Sequence, residues 1–434
     1  MKSYEAILAI LFALVGAHVP RAFTVLYCAL GLAWFITTRI DPRPLIALSG
    51  RQTKVMHIIQ ILVALFSCAY PLALLHFGIW QFAGRQLLDI VNSFLLPSCL
   101  FWFGAYLARR NFKLLVKLLI AYSIGALVFL LAALFYSRGI DWYAPQSVPG
   151  ALSLAWGSAT SMNVRSVEQN GILSAVYLPV GIYSYFRGYK KISFALVILG
   201  FIGLAAVLPL ANGRLWIPSL AIASVPSTIH MISIVYRFLR GASSSALKLI
   251  NLSLMTIAAV FLVLSLHTYR YQLCDERFGI YLRALSHSQD LLSGGRFLAF
   301  TSYMCDGSSF TVSLRPGSTA SLSMLHSVPL DILASVGQIA FTPMLLVLIT
   351  ALYFYLSLAL SIVKQVFADR FISVYCQLFW SFSAALLVQW LFQPLIYGDN
   401  LLYMFSYSLI GALVTRIPEN LLSPGNDCNI IDGT

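Results

Sequence analysis

The sequence predicts an all-α fold: a polytopic transmembrane helix bundle of about twelve spans, with one large periplasmic loop between spans nine and ten. Three observations lead there. Hydrophobic residues make up 59% of the chain and charged residues only 10%, where a soluble domain carries about 25% charged residues. Apolar runs of roughly twenty residues recur, the length a helix needs to cross the hydrocarbon core. The lysines and arginines divide between alternate loops in the way that fixes membrane orientation.

The expected spans have cores at 4–17, 22–38, 57–77, 88–106, 118–136, 171–186, 192–211, 215–236, 249–266, 330–361, 372–397 and 401–415. The first apolar run has no small-residue cleavage site and is read as a retained helix. Residues 1–416 are expected to form a single transmembrane domain, with 267–328 its large outer loop and 417–434 a polar inner-side tail. With the N-terminus inside and the spans alternating, all eight lysines fall on the inner side. The outer side holds ten arginines instead: Arg21, Arg85, Arg138, Arg165, Arg214, Arg270, Arg277, Arg283, Arg296 and Arg315. Arginine without lysine suits planar, two-pronged contacts with anions, although snorkelling to lipid headgroups accounts for some of them. The net charge of +13 therefore speaks of orientation and membrane lipids, not of nucleic acid. The long outer loop is expected to lay short amphipathic helices on the membrane surface.

Of the seven cysteines, Cys28, Cys68, Cys99 and Cys376 fall in apolar runs and read as packed thiols. Cys274 and Cys305 share the outer loop, an oxidising compartment, and are expected to form a disulfide. No Cys/His cluster has metal-ligand spacing, no Asp-rich metal motif is present and no glycine loop cradles a nucleotide. The sequence thus predicts neither metal nor cofactor.

Chemistry concentrates between Ser293 and Gly337. Arg296 follows Gly294-Gly295, whose flexibility suits a loop entering a helix. Arg315 lies beyond Asp306-Gly307. His326 precedes Pro329, which suits the first turn of a helix, so His326 stands at the mouth of the tenth span. Arg214 follows Asn212-Gly213 between two apolar runs, where a guanidinium is costly without an anion. Arg165 lies in the other long outer loop. Two arginines fit a pyrophosphate, and a histidine can accept a proton near pH 7.

At these residues the sequence resembles the O-antigen ligase and O-antigen polymerase superfamily, integral-membrane glycosyltransferases of the bacterial inner membrane. Gly294-Gly295-Arg296 resembles the family's Ser-Gly-Arg segment. His326-Ser327, followed nine residues on by Gly337, matches its histidine motif. Arg214 resembles its arginine at an outer helix end, and Glu168-Gln169-Asn170-Gly171 looks like its Asn-Gly helix start. Asn212-Gly213 stands where the family usually has serine, Leu215 where glycine is common, and Gly294 adds a second glycine.

The resemblance implies an inverting, metal-independent enzyme of the inner membrane, its active site facing the periplasm. The donor is an undecaprenyl-pyrophosphate-linked glycan. The acceptor is lipid A–core for a ligase, or a second lipid-linked glycan for a polymerase. Catalysis falls to His326, Arg296 and Arg214. Substrate binding falls to Arg214, Arg296, Arg315 and Arg165. The histidine motif favours the ligase; Arg296 with Gly307 resembles a polymerase pattern. A transporter or flippase is the rival of another class, expected to show helix-breaking residues near mid-membrane and internal repeats.

Overall fold

A computed structural model describes residues 3–17, 58, 62, 96–136, 164–186, 188–207, 215–240, 298–303, 309–314, 327–336, 338–367, 372–393, 395 and 400–415. The helices are α1 (Ser3–Gly16), α2 (Leu96–Arg110), α3 (Phe112–Tyr136), α4 (Val164–Ala175), α5 (Tyr177–Phe186), α6 (Lys190–Val207), α7 (Trp216–Ala223) and α8 (Val225–Arg240), followed by α9 (Val328–Val336), α10 (Gln338–Phe367), α11 (Val374–Phe392) and α12 (Asn400–Thr415). Between α8 and α9 lie two strands, β1 (Leu298–Tyr303) and β2 (Ser309–Leu314). Expected spans 22–38 and 249–266, nearly all of 57–77, and the tail 417–434 lie outside the described residues.

Among the described residues, four helical stretches are long and apolar enough to cross a membrane: Phe112–Leu131, Lys190–Val207, Phe341–Ile362 and Val374–Phe392. Their surroundings differ. Every residue of α11 from Cys376 to Trp390 is buried, so this helix is the centre of the bundle. α6 and α10 lie outside and turn large apolar side chains outward: Phe194 is 70% exposed, Tyr353 and Leu360 64%. An apolar surface of that extent fits lipid and not water.

The helices that pack on α11 have readable directions. Gln393, capping the end of α11, reaches Glu168 near the start of α4. At the other end, the Tyr183 hydroxyl of α5 donates to the Ile372 carbonyl at 3.0 Å and accepts from the Ile372 N–H at 3.1 Å. The α4–α5 segment therefore runs antiparallel to α11 along its length. α6 returns beside it, with Gly171, Gly181, Gly200 and Gly203 letting the backbones approach; a Cβ at Gly200 would strike the Leu178 backbone. Six residues, 368–373, join α10 to α11 and span about 20 Å at most. That is too short to retrace a helix of about 45 Å, so α10 also runs antiparallel to α11.

Two segments are bent by proline. Pro226 cannot donate to the Ile222 carbonyl one turn back, and the helix is interrupted at Ser224. The freed carbonyl accepts the Trp380 indole N–H at 3.0 Å, and its neighbour Ala223 accepts Gln377 at 3.4 Å. Pro179 stands three residues after the interruption at Val176, and its carbonyl accepts the Ser227 hydroxyl at 2.9 Å. The tenth expected span is likewise split, into α9 and α10. Pro329 lies in the first turn of α9, as its sequence position suggested.

Several expectations change. The inner loop predicted between spans four and five is helix: α2 and α3 meet at Asn111, whose side chain accepts from the Leu114 N–H at 3.0 Å and starts the second helix. Arg165, expected in a loop, lies in the first turn of α4, which begins seven residues before the predicted core. The outer loop, expected to form amphipathic helices, contains an antiparallel hairpin, so the chain is not purely helical. Its register pairs Leu298 with Leu314, Phe300 with Val312 and Thr301 with Thr311. In β2, Ser-Phe-Thr-Val-Ser-Leu, polar and apolar residues alternate, a period-two pattern that suits a strand better than a helix. Close contacts Gly104–Ser408 and Gly411–Phe101 make α2 and α12 antiparallel. Strict alternation over twelve spans would set the fourth and twelfth the same way, so these two segments do not both fit it. Cys99 is exposed and free, not packed. Cys376 is disulfide-bonded, with its partner outside the described residues; an apolar run does not reveal which helices meet in space. The predicted Cys274–Cys305 pair lies outside the described residues.

Candidate functional site

The start of α4 meets the end of α11 at one end of the bundle, as the Gln393–Glu168 bond shows. α7 points its start toward that end: its far end, Ile222 and Ala223, is anchored in the first two turns of α11 at Trp380 and Gln377, and His230 of the following α8 packs on Tyr183, which bonds Ile372 just before α11. The start of α10, which follows α9, lies toward the same end. Arg165 lies in the first turn of α4. Leu215, next to Arg214, leads directly into α7. Ser327, next to His326, is buried and leads directly into α9.

Arg214, Arg296, Arg315 and His326 themselves lie outside the described residues, as does the side chain of Arg165. The backbone around them is informative. Leu298 and Leu314, the last cross-strand pair of the hairpin, stand two residues after Arg296 and one residue before Arg315. The hairpin thus brings the flanks of two predicted substrate-binding arginines, nineteen residues apart in sequence, side by side.

The opposite end of the bundle carries lysine. Lys190 and Lys191 start α6, Lys113 and Lys117 lie early in α3, and Lys364 is near the end of α10. Phe112 packs edge-on against Phe379 at 5.1 Å, which sets the start of α3 beside the first turns of α11.

Just inside the lysine-poor end lies a buried polar cluster that the sequence reading did not assemble. Glu168, Gln169 and Asn170 of α4 are all buried, as are Gln389 and Gln393 of α11. The Gln393 amide donates to the Glu168 carboxylate at 2.7 Å. The Gln389 amide donates to the Gln169 backbone carbonyl at 3.3 Å. The Tyr122 hydroxyl reaches Asn170 Oδ1 at 3.5 Å, and its ring stacks on Phe405 at 4.2 Å. Beside them Trp390 donates to the Ser406 hydroxyl at 2.7 Å and packs on Tyr403 and Tyr407. Three amide atoms of this cluster have no partner among the described residues: Gln169 Nε2, Gln169 Oε1 and Gln389 Oε1. Each such group costs about 1–3 kcal/mol when buried unpaired, and polar groups inside lipid-facing bundles mark function more often than packing.

Glu168-Gln169-Asn170 was visible in the sequence as an expected helix start, but the helix begins earlier and buries all three in its second turn. Gln389 and Gln393 left a fainter trace: two glutamines four residues apart, hence on one helix face, inside an apolar run. Among the described residues no three His, Cys, Asp or Glu side chains group as metal ligands. No protein-family model matches the chain, and no curated protein matches it.

Proposed function

We propose that this protein is an integral-membrane glycosyltransferase of the O-antigen ligase type. It moves a glycan from an undecaprenyl-pyrophosphate carrier to lipid A–core on the periplasmic side of the bacterial inner membrane. The observation that carries the reading is the meeting, at one lysine-poor end of the bundle, of the start of α4, which holds Arg165, with the end of α11, toward which α7, next in sequence to Arg214, also points. A lipid-linked pyrophosphate presents several anionic oxygens at the membrane surface, where arginines grip them two-pronged. The same groups stabilise negative charge as the carrier leaves. His326 takes the proton from the acceptor hydroxyl as that oxygen attacks the anomeric carbon from the face opposite the pyrophosphate, so the configuration inverts. A polymerase acting on a second lipid-linked glycan would use the same site and differ only in its acceptor.

A transporter is the second reading, favoured by the interrupted segments at Val176 and Ser224 and by the buried amides, features that transport sites also use. One experiment separates the three. The purified protein is reconstituted with lipid-linked glycan and, in separate vesicles, with and without lipid A–core. Glycan on lipid A–core supports the ligase, and lengthened lipid-linked glycan the polymerase. Movement of unaltered donor across the vesicle membrane, with no transfer, would replace both with transport.

A further inference from the structure

We infer that Gln169 and Gln389 form a subsite for the hydroxyl groups of a sugar, reading the glycan next to the carrier's pyrophosphate; this rests on the transferase reading above. The unfilled bonding capacity decides the ligand class. One N–H₂ group and two carbonyl oxygens lack partners. An anion would find one donor and two repelling carbonyls, with the Glu168 carboxylate adjacent in sequence to Gln169. A cation would leave the Gln169 N–H₂ unpaired. A hydroxyl both donates and accepts, so two neighbouring hydroxyls satisfy all three atoms together.

Ordered water carries the same hydroxyl chemistry and is the competing source. Position favours the sugar: the amides lie in the second turn of α4 and the last turns of α11, just inside the lysine-poor end where α4 begins and α11 finishes. The supporting shell is already bonded. Gln393 is tied to Glu168, and Gln389 to the Gln169 backbone, which leaves the two amide heads as the unfilled part of an otherwise complete network. Both glutamines are fully covered in this structure, so the sugar reaches them when the ends of α4 and α11 part. Full burial then makes the match selective, because a ligand lacking hydroxyls leaves the amides unpaired.

The test uses full-length protein in lipid nanodiscs and two probes: lipid-linked glycan extracted from the producing cells, and undecaprenyl pyrophosphate without sugar. Gln169→Met removes a side chain that makes no hydrogen bond here, and Gln389→Leu is the second variant. The expected result is a preference of the wild type for the glycan-bearing probe that falls at least tenfold in Gln169→Met. Its affinity for the bare carrier stays unchanged, and its melting temperature is unchanged or higher. A melting temperature several degrees lower with the preference intact would overturn the subsite and assign the amides to ordered water. So would a wild type that binds the two probes equally. Because binding is the readout, a protein that prefers the glycan but transfers none would remove the proposed activity while leaving the subsite standing.

Discussion

At the scale of single residues, reactivity and packing separate cleanly. Buried hydroxyls on the helices largely bond to backbone carbonyls near or across the bundle, as Ser193 does to Gly181 and Ser383 to Phe379, and they read as structural. The residues proposed for chemistry are next in sequence to helix starts and strand ends, the places where a side chain meets substrate without crossing lipid. His326→Ala is expected to lower glycan transfer by about 10²–10⁴-fold, the usual loss for a general base, while still binding donor. A purified variant with unchanged melting temperature and unchanged rate would remove the histidine from catalysis. Arg214→Lys and Arg296→Lys keep charge but lose the planar fork. Each should weaken binding of undecaprenyl pyrophosphate at least tenfold in equilibrium titrations, and retention of wild-type affinity by both would count against a clamp.

At the scale of elements, glycine and proline decide what hydrophobicity does not. The α2–α12 contact depends on Gly104 and Gly411, where an added Cβ would meet the Ser408 and Phe101 backbones, which cannot rotate away. Gly411→Val should therefore cost about 1–3 kcal/mol or more, seen as a lower melting temperature in detergent. Ile349→Val, on the exposed face of α10, should leave it nearly unchanged. Hydropathy located the ends of α1 and α12 closely, 4–17 against Ser3–Gly16 and 401–415 against Asn400–Thr415. It missed the interruptions at Val176 and Ser224, because a run of apolar residues stays apolar through a kink; Pro179 and Pro226 were the readable signs. It missed the hairpin because the loop was judged by its charge and aromatic content, although Ser-Phe-Thr-Val-Ser-Leu alternates visibly. The Gln393–Glu168 bond joins residues 225 apart, and no local pattern announces a contact of that span.

At the scale of the whole molecule, the bundle is polarised. One end gathers lysines; the other holds the start of α4 with Arg165, and α7, next in sequence to Arg214, points toward it. Charge bias of this kind sets orientation during insertion. A cysteine replacing Lys190, at the exposed start of α6, should react with a membrane-impermeant maleimide only after the inner membrane is opened, in a background where the seven native cysteines are replaced by serine. Labelling in intact spheroplasts would reverse the assigned sides and place the proposed site in the cytoplasm.

The interrupted segments also have a mechanical consequence. α11 crosses the bundle without a break, whereas α4, α7 and α9 are short arms, each joined to a longer or well-anchored lower half. Below the joints, Tyr183 clasps both backbone groups of Ile372 and Ser227 holds Pro179. A 12-residue arm such as α4 is about 18 Å long. A tilt of about 10° at its joint therefore carries its tip through roughly 3 Å, the length of one hydrogen bond. A lever of that ratio lets the polar end change its grip by a full bonding distance while the lysine-bearing half keeps its packing.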